Sequence, residues 1–134
     1  MTRYLLDTDI CIYLRDNRPP RVTARFAELE RDDVAISVIT FGELAYGVAK
    51  STDRARAAKG FEWAMRIMPI LPLPPRAGDR YGDLLAELER NGSLIGGNDL
   101  WIAAHALAEN LILVTNNERE FRRVKGLKVE NWAR

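Results

Sequence analysis

The sequence predicts an α/β fold, a parallel sheet covered by helices on both faces, and three observations predict it. Apolar runs without alternation, at residues 4–6, 34–39 and 111–115, read as strands buried on both sides. Segments with apolar residues at helical spacing separate these runs. The length of 134 residues, with 47% hydrophobic and 29% charged, suits one core, and a single domain over residues 1–134 is expected.

The elements follow in order. The first strand ends abruptly on Asp7 and Asp9, and because an unpaired charge buried in a strand is costly, Asp7 is expected just past the strand's C-terminal end. Open α/β sheets keep their ligand crevices at that edge. Residues 8–17 suit a short helix stopped by Pro19 and Pro20, and Pro20 suits the first turn of a second helix carrying Val22, Phe26 and Leu29. Residues 34–39 are the second strand, and residues 40–50 the helix after it. A further helix spans 53–66 with Asp53 helping to cap it. Residues 67–71 form a third strand, placed at a sheet edge because Pro69 removes a ladder donor. The helix over 76–90 stops at Asn91-Gly92, and Asn98 or Asp99 opens the next one. Residues 111–115 are the fourth strand, 118–123 one or two helical turns, and 129–132 a short final strand.

Charge and cysteine usage bound the function. Twenty basic against nineteen acidic residues leave a net charge of +1, so any nucleic-acid contact must come from a local patch. Cys11 is the only cysteine, which excludes an internal disulfide and fits core filler in a reducing compartment. No apolar run approaches the roughly 20 residues of a membrane span, and the N-terminus lacks the features of a signal peptide, so a cytoplasmic protein without membrane contact is expected.

Three acids share one context. Asp7 ends the first strand, Glu43 lies in the first turn after the second, and Asp99 opens the helix before the fourth; parallel strands bring them to one edge. Thr115, Asn117 and Glu120 follow the fourth strand at that edge. Converging carboxylates repel unless a divalent cation lies between them, and hard oxygen donors without Cys or clustered His favour magnesium or manganese over zinc. Each acid also has a purely local role open to it. Thr40-x-x-Glu43 matches a capping box, Asp99 suits the positive end of a helix, and Glu120 could pair with Arg119 or Arg123. His105 reads as a packed helix residue, and Trp63, Trp101 and Trp132 as core aromatics. Arg119, Arg122 and Arg123, with Lys125 and Lys128, are a solvated run by default, but their place beside the acidic edge suits phosphate contacts.

The segments Leu6-Asp-Thr-Asp-Ile10, Ile39-Thr-Phe-Gly-Glu-Leu44, Gly96-Gly-Asn-Asp-Leu-Trp-Ile-Ala-Ala-His105 and Val114-Thr-Asn-Asn-Glu-Arg-Glu-Phe121 resemble, in order, the signature blocks of the PIN-domain ribonucleases. With Val124-Lys-Gly-Leu and Glu130-Asn-Trp132, the resemblance runs full length to the VapC toxins of VapBC toxin–antitoxin systems. It implies a PIN-like three-layer fold with strand order 3-2-1-4-5. It also implies a metal-dependent endoribonuclease in which Asp7, Glu43 and Asp99 form an acidic triad, Asp7 and Asp99 holding magnesium or manganese. Many relatives have an Asp where Asn117 stands; Glu120 is taken as the fourth acid, with Thr115 and Asn117 orienting the site and Asp9 an auxiliary ligand. The implied substrate is structured RNA, often a tRNA anticodon loop, and the implied partners are a cognate VapB-like antitoxin and a second copy of the chain.

Two other classes match some of these residues. Asp7-x-Asp9, a hydroxyl at Ser37 or Thr40, and Asp79 with Asp83 resemble the motifs of haloacid-dehalogenase-type phosphatases, with Asp7 as nucleophile. A non-catalytic PIN-like or receiver-like binding module is the other; a receiver would require an Asp after the third strand, where Leu71-Pro-Leu-Pro-Pro75 offers none.

Overall fold

Tyr4, Leu5 and Leu6 form β1 (Tyr4–Leu6), and all three are buried. In the computed structural model, which describes residues 1–134, β1 lies at the centre of an all-parallel sheet in the order β3-β2-β1-β4-β5. The other strands are β2 (Val34–Ser37), β3 (Ile70–Leu71), β4 (Ile112–Val114) and β5 (Val129–Glu130). Side chains of β1 point alternately to the two faces, so Tyr4 and Leu6 join one core and Leu5 the other.

The first core is closed by α1 (Thr8–Asp16), α2 (Pro20–Ala27) and α4 (Arg54–Ile67), through Ile10, Leu14, Val22 and Ala64. The second is closed by α5 (Pro75–Arg90), α6 (Gly97–Ala108) and α7 (Glu118–Phe121), through Leu84, Leu88, Leu100 and Phe121. Helix α3 (Val38–Lys50) straddles the two, giving Phe41 and Leu44 to the first core and Ile39 to the second. Helices therefore cover both faces, as predicted. Asn17 and Gly92 supply the left-handed turns after α1 and α5, at φ 53° and 63°.

Differences from expectation lie at β2, at β3, at Trp63 and at the final strand, which ends at Glu130 and not at Trp132. The second strand stops at Ser37 because the Ser37 hydroxyl accepts from the Ile39 amide and starts α3 two residues early. The third strand shrinks to two residues: α4 runs on to Ile67, and Pro69 contributes only its carbonyl, which accepts from the Ile36 amide at 3.0 Å. It is nonetheless an edge strand, as Pro69 required. Trp63 is 40% exposed and is no core residue, whereas Trp132 is buried and Trp101 stacks on Tyr81 with ring centroids 3.9 Å apart.

Candidate active site

Parallel pairing aligns the C-terminal ends of β1, β2 and β4, and the chain turns polar at each: Asp7 after β1, Ser37 closing β2, Thr115 after β4. Asp7 is 6% exposed, so its carboxylate is satisfied by protein groups. One oxygen accepts from the Thr8 amide and caps α1; the other accepts from the Thr115 hydroxyl, both at 2.8 Å. Burial, more than the neighbouring Asp9 charge, pushes its pKa up to about 6. Asp9, in the first turn of α1, accepts from the Asn116 amide at 3.0 Å through Oδ2. Its Oδ1 is buried and has no hydrogen-bond partner, and burial raises this carboxyl too.

Glu43 belongs to the second turn of α3, not the first. The capping box is absent: Ser37 caps the helix, and Thr40 is buried with its hydroxyl unpartnered. Glu43 turns instead toward Asp7. Its Oε1 accepts from the Thr8 hydroxyl at 2.6 Å and its Oε2 from the Asn98 amide at 3.5 Å. Thr8 thus bridges two of the acids, through its amide and its hydroxyl.

Asp99 and Glu120 share a hydrogen bond. Burial, then Glu120 and the charges of Asp7 and Glu43, push Asp99 up to about 8. Burial opposes ionisation of Glu120 as well, but the Gly96 amide at 2.8 Å, Asp99 and the Asn117 amide hold it below the usual range. The Gly96 backbone runs beside both acids, and a Cβ there would lie 3.7 Å from a carboxylate oxygen of each. Asn117 and Glu120, weighed as rivals from the sequence, are hydrogen-bonded to one another. The Thr115 hydroxyl, donating to Asp7, also accepts from the Asn117 amide at 3.0 Å.

The structure thus gathers Asp7, Asp9, Glu43, Asp99, Thr115, Asn117 and Glu120 around one sheet edge. No three Asp, Glu, His or Cys groups of the chain stand as a preassembled metal cluster. The edge offers hard oxygen donors, one of them orphaned in the interior, and two carboxyls whose pKa values are raised first by burial and then by neighbouring carboxyls. Such a donor set fits a hard divalent cation better than zinc.

The basic run divides. Arg122 is paired with Glu118 at 2.8 Å, and Arg123 donates to the Leu94 carbonyl at 2.7 Å, while Arg119 is exposed and engages no protein partner. His105 is fully buried, its Nδ1 2.8 Å from the Ser37 hydroxyl, and burial lowers its pKa. Asp79 and Asp83 lie exposed on α5 and not at a strand end, which removes the late acidic motif of the phosphatase reading. Thr8, Asn98 and Asn116 are site residues that the sequence reading passed over. Thr8 could have been found from its place between two acids; Asn98 and Asn116 carried no signal apart from their neighbours.

The family model of the PIN domain matches residues 4–127. Over 133 residues the chain is 43% identical to Ribonuclease VapC2 of Haemophilus influenzae, covering 99% of this chain and all of that one. It is 40% identical to the tRNA(fMet)-specific endonuclease VapC of Shigella flexneri, with the same coverage. Among solved structures, VapBC2 from Rickettsia felis bound to a DNA fragment from its promoter superposes with a TM-score of 0.91 at 39% identity, over 98% of this chain and 99% of that one. The chain therefore belongs to the PIN-domain family, in its VapC ribonuclease branch. No helix is long and apolar enough to cross a membrane.

Proposed function

We propose that the protein is a magnesium- or manganese-dependent endoribonuclease and the toxin of a toxin–antitoxin pair. The observation that carries the reading is the convergence of Asp7, Glu43, Asp99 and Glu120 at the C-terminal edge of a parallel sheet. Asp7 and Asp99 would hold the ion, with Glu43, Glu120 and Asp9 completing the carboxylate surround. When bound, the metal supplies charge neutralisation at the phosphate and a more acidic water.

The protein's own groups do the rest. Thr115 and the Thr8 amide fix both oxygens of Asp7, and the Thr8 hydroxyl fixes Glu43, so neither carboxylate must reorganise as substrate arrives. Glu120, ionised and held by Gly96 and Asn117, is a fixed acceptor able to orient a water against the phosphodiester. Among the three arginines of the run, Arg119 is free to meet an RNA phosphate, whereas Arg122 and Arg123 must first leave Glu118 and Leu94. A single-stranded loop is the natural substrate, because its scissile phosphate can enter a narrow crevice. The name of the Shigella relative supports a tRNA, and an anticodon loop is the proposed target.

The VapBC assemblies among the structural neighbours support a VapB-like antitoxin as partner, and a second copy of the toxin in that complex is what the family resemblance implies. The antitoxin is expected to place an Arg or Lys in the acidic crevice, since an uncompensated carboxylate cluster attracts a side-chain cation as it does a metal. A structure of the complex whose antitoxin never approaches Asp7, Glu43 or Asp99 would refute the plug. The activity is tested by incubating antitoxin-free protein with total RNA in magnesium and in EDTA and mapping the cut ends. Cleavage that persists in EDTA would sink the metal mechanism, and an absence of cleavage in either metal would sink the nuclease.

A further inference from the structure

The Glu130-Asn131-Trp132 segment takes no part in the chemistry above, yet it is fastened to the loop that carries much of the site. That loop, residues 115–118, brings the Thr115 hydroxyl to Asp7, the Asn116 backbone N–H to Asp9 and the Asn117 side-chain NH₂ to Glu120. Beside it, β5 pairs with β4, and the Thr115 amide donates to the Glu130 carbonyl at 2.9 Å. Trp132 is buried, meets the Tyr4 ring edge-on with centroids 5.5 Å apart, and donates its indole N–H to Glu130 at 3.0 Å. The backbone on both sides of Asn131 is therefore anchored.

Between these anchors the Asn131 side chain has one orientation. Its oxygen accepts from the Ala133 amide at 2.9 Å, so its NH₂ faces the loop and donates to Asn116 Oδ1 at 3.0 Å and to Glu118 Oε2 at 2.9 Å. Asn116 in turn donates to the Tyr13 hydroxyl of α1 at 3.0 Å. Both amide hydrogens and the carbonyl of Asn131 are used, and the loop is clamped between α1 and the C-terminal segment. Glu118 is also held from outside, by Arg122 and by Arg134 at 3.0 Å.

We infer that Asn131 is a positioning residue of the active site: by clamping Asn116 and Glu118 it holds the 115–118 loop so that Thr115 and Asn116 present their donors to Asp7 and Asp9. It touches neither the acids nor any reacting group. This rests on the nuclease reading for its consequence in catalysis, but the clamp itself is measurable without it. A residue that serves only to tie down the C-terminus would affect melting alone; one that positions the loop affects turnover and metal dependence while leaving substrate affinity unchanged.

The test compares the parent with Asn131→Asp, Asn131→Ala and the double variant Asn131→Asp/Glu118→Gln. Asn131→Asp keeps shape but sets an acceptor against Asn116 Oδ1 and the Glu118 carboxylate. It is expected to lower kcat on the order of 10- to 100-fold, as loss of an outer-shell partner commonly does, to raise the magnesium needed for half-maximal rate, and to leave KM for RNA unchanged. In EDTA, hydrogen exchange of the Asn116 and Asn117 amides should quicken, with the β1 amides unaffected. Asn131→Ala should act in the same direction and more weakly, and it serves where the Asp variant does not fold. Glu118→Gln in the double variant supplies a donor to the new carboxylate, while an amide flip of Asn116 lets the other pairing re-form. Most of the lost kcat should return. A folded Asn131→Asp or Asn131→Ala with parental kcat, magnesium dependence and loop exchange would overturn the inference, as would a double variant no better than Asn131→Asp. Should the parent not cut RNA, the nuclease reading fails on that result, and the exchange rates still decide the clamp.

Discussion

A carboxylate at Asp7 and one at Asp99 are the residues on which the proposed chemistry turns, and both are held where ionisation is unfavourable. Asp7→Asn and Asp99→Asn keep the shape of each side chain but replace one carboxylate oxygen by an NH₂ donor, which removes the charge a cation requires and, at Asp7, one of the two acceptors used by Thr8 and Thr115. Each is expected to abolish metal-dependent RNA cleavage in a folded protein, and cleavage at the parental rate by either would exclude that acid as a ligand. His105 makes the opposite case. Fully buried against Ser37, it packs at a distance from the acidic edge, so His105→Ala should still cut RNA but be less stable by about 1–3 kcal/mol, for the lost packing and the lost hydrogen bond with Ser37. Its titration adds a sign. Burial depresses the His105 pKa below 6.5, with only the Glu109 charge on the same helix pulling the other way. The unfolded chain thus binds a proton that the fold resists, and stability contributed by neutral His105 is present above about pH 6.5 and lost as pH falls below it. The difference in unfolding free energy between the parent and His105→Asn, followed from pH 8 to 5, should show that loss, because the carboxylate titrations cancel between the two proteins.

The elements show where the sequence was readable and where it was not. Strand β1 was legible in three residues, since an apolar run that breaks onto two acids admits few other placements. The start of α3 was not, because Ile36-Ser-Val-Ile39 reads as continuous strand; only the Ser37 hydroxyl, competing for the backbone, turns Val38 and Ile39 into helix. That two-residue error hid the position of Glu43. It suggested a capping box, whereas the longer helix carries Glu43 one turn further and aims it at Thr8. Ser37→Ala removes the cap and a partner of His105 at once, and it should cost about 1–3 kcal/mol in chemical denaturation, more than the roughly 1 kcal/mol of an exposed cap. Asp7, Glu43 and Asp99 were found by their places at element ends, and Asp9, Thr115 and Asn117 by their neighbourhood. The pairing of Asp99 with Glu120 was not foreseeable, because it depends on the Gly96 backbone passing beside both.

At the scale of the molecule, folding gathers acids that the unfolded chain keeps apart. Asp7 and Asp99 have folded pKa values of about 6 and about 8 against an ordinary 3.8, so the metal-free fold binds more protons than the unfolded chain between about pH 4 and 8. Its stability should therefore fall as pH rises through that window in EDTA, and Asp99→Asn should flatten the upper half. At neutral pH in EDTA the variant should melt above the parent. Magnesium at a hundred times its dissociation constant should stabilise the parent by about 2.7 kcal/mol and the variant by less. Melting curves across a magnesium titration check both; equal gains would show that Asp99 does not bind the ion, and a lower melting point in EDTA would show that its charge mainly serves the N-terminus of α6.

The central strand is the first to be synthesised, yet one of its two neighbours, β4, and the Thr115 hydroxyl that holds Asp7 lie 108 residues later. A chain still on the ribosome, with Ile112 onward inside the exit tunnel, has β1 paired on one side only and lacks Thr115, Asn117 and Glu120. It can neither shape nor complete the acidic edge. On the nuclease reading, translation therefore yields no competent site until β4 and the 115–120 loop have left the tunnel. Nascent chains stalled after Asn110 should bind no magnesium and leave RNA intact, whereas the released chain of residues 1–134 should bind magnesium and cut RNA.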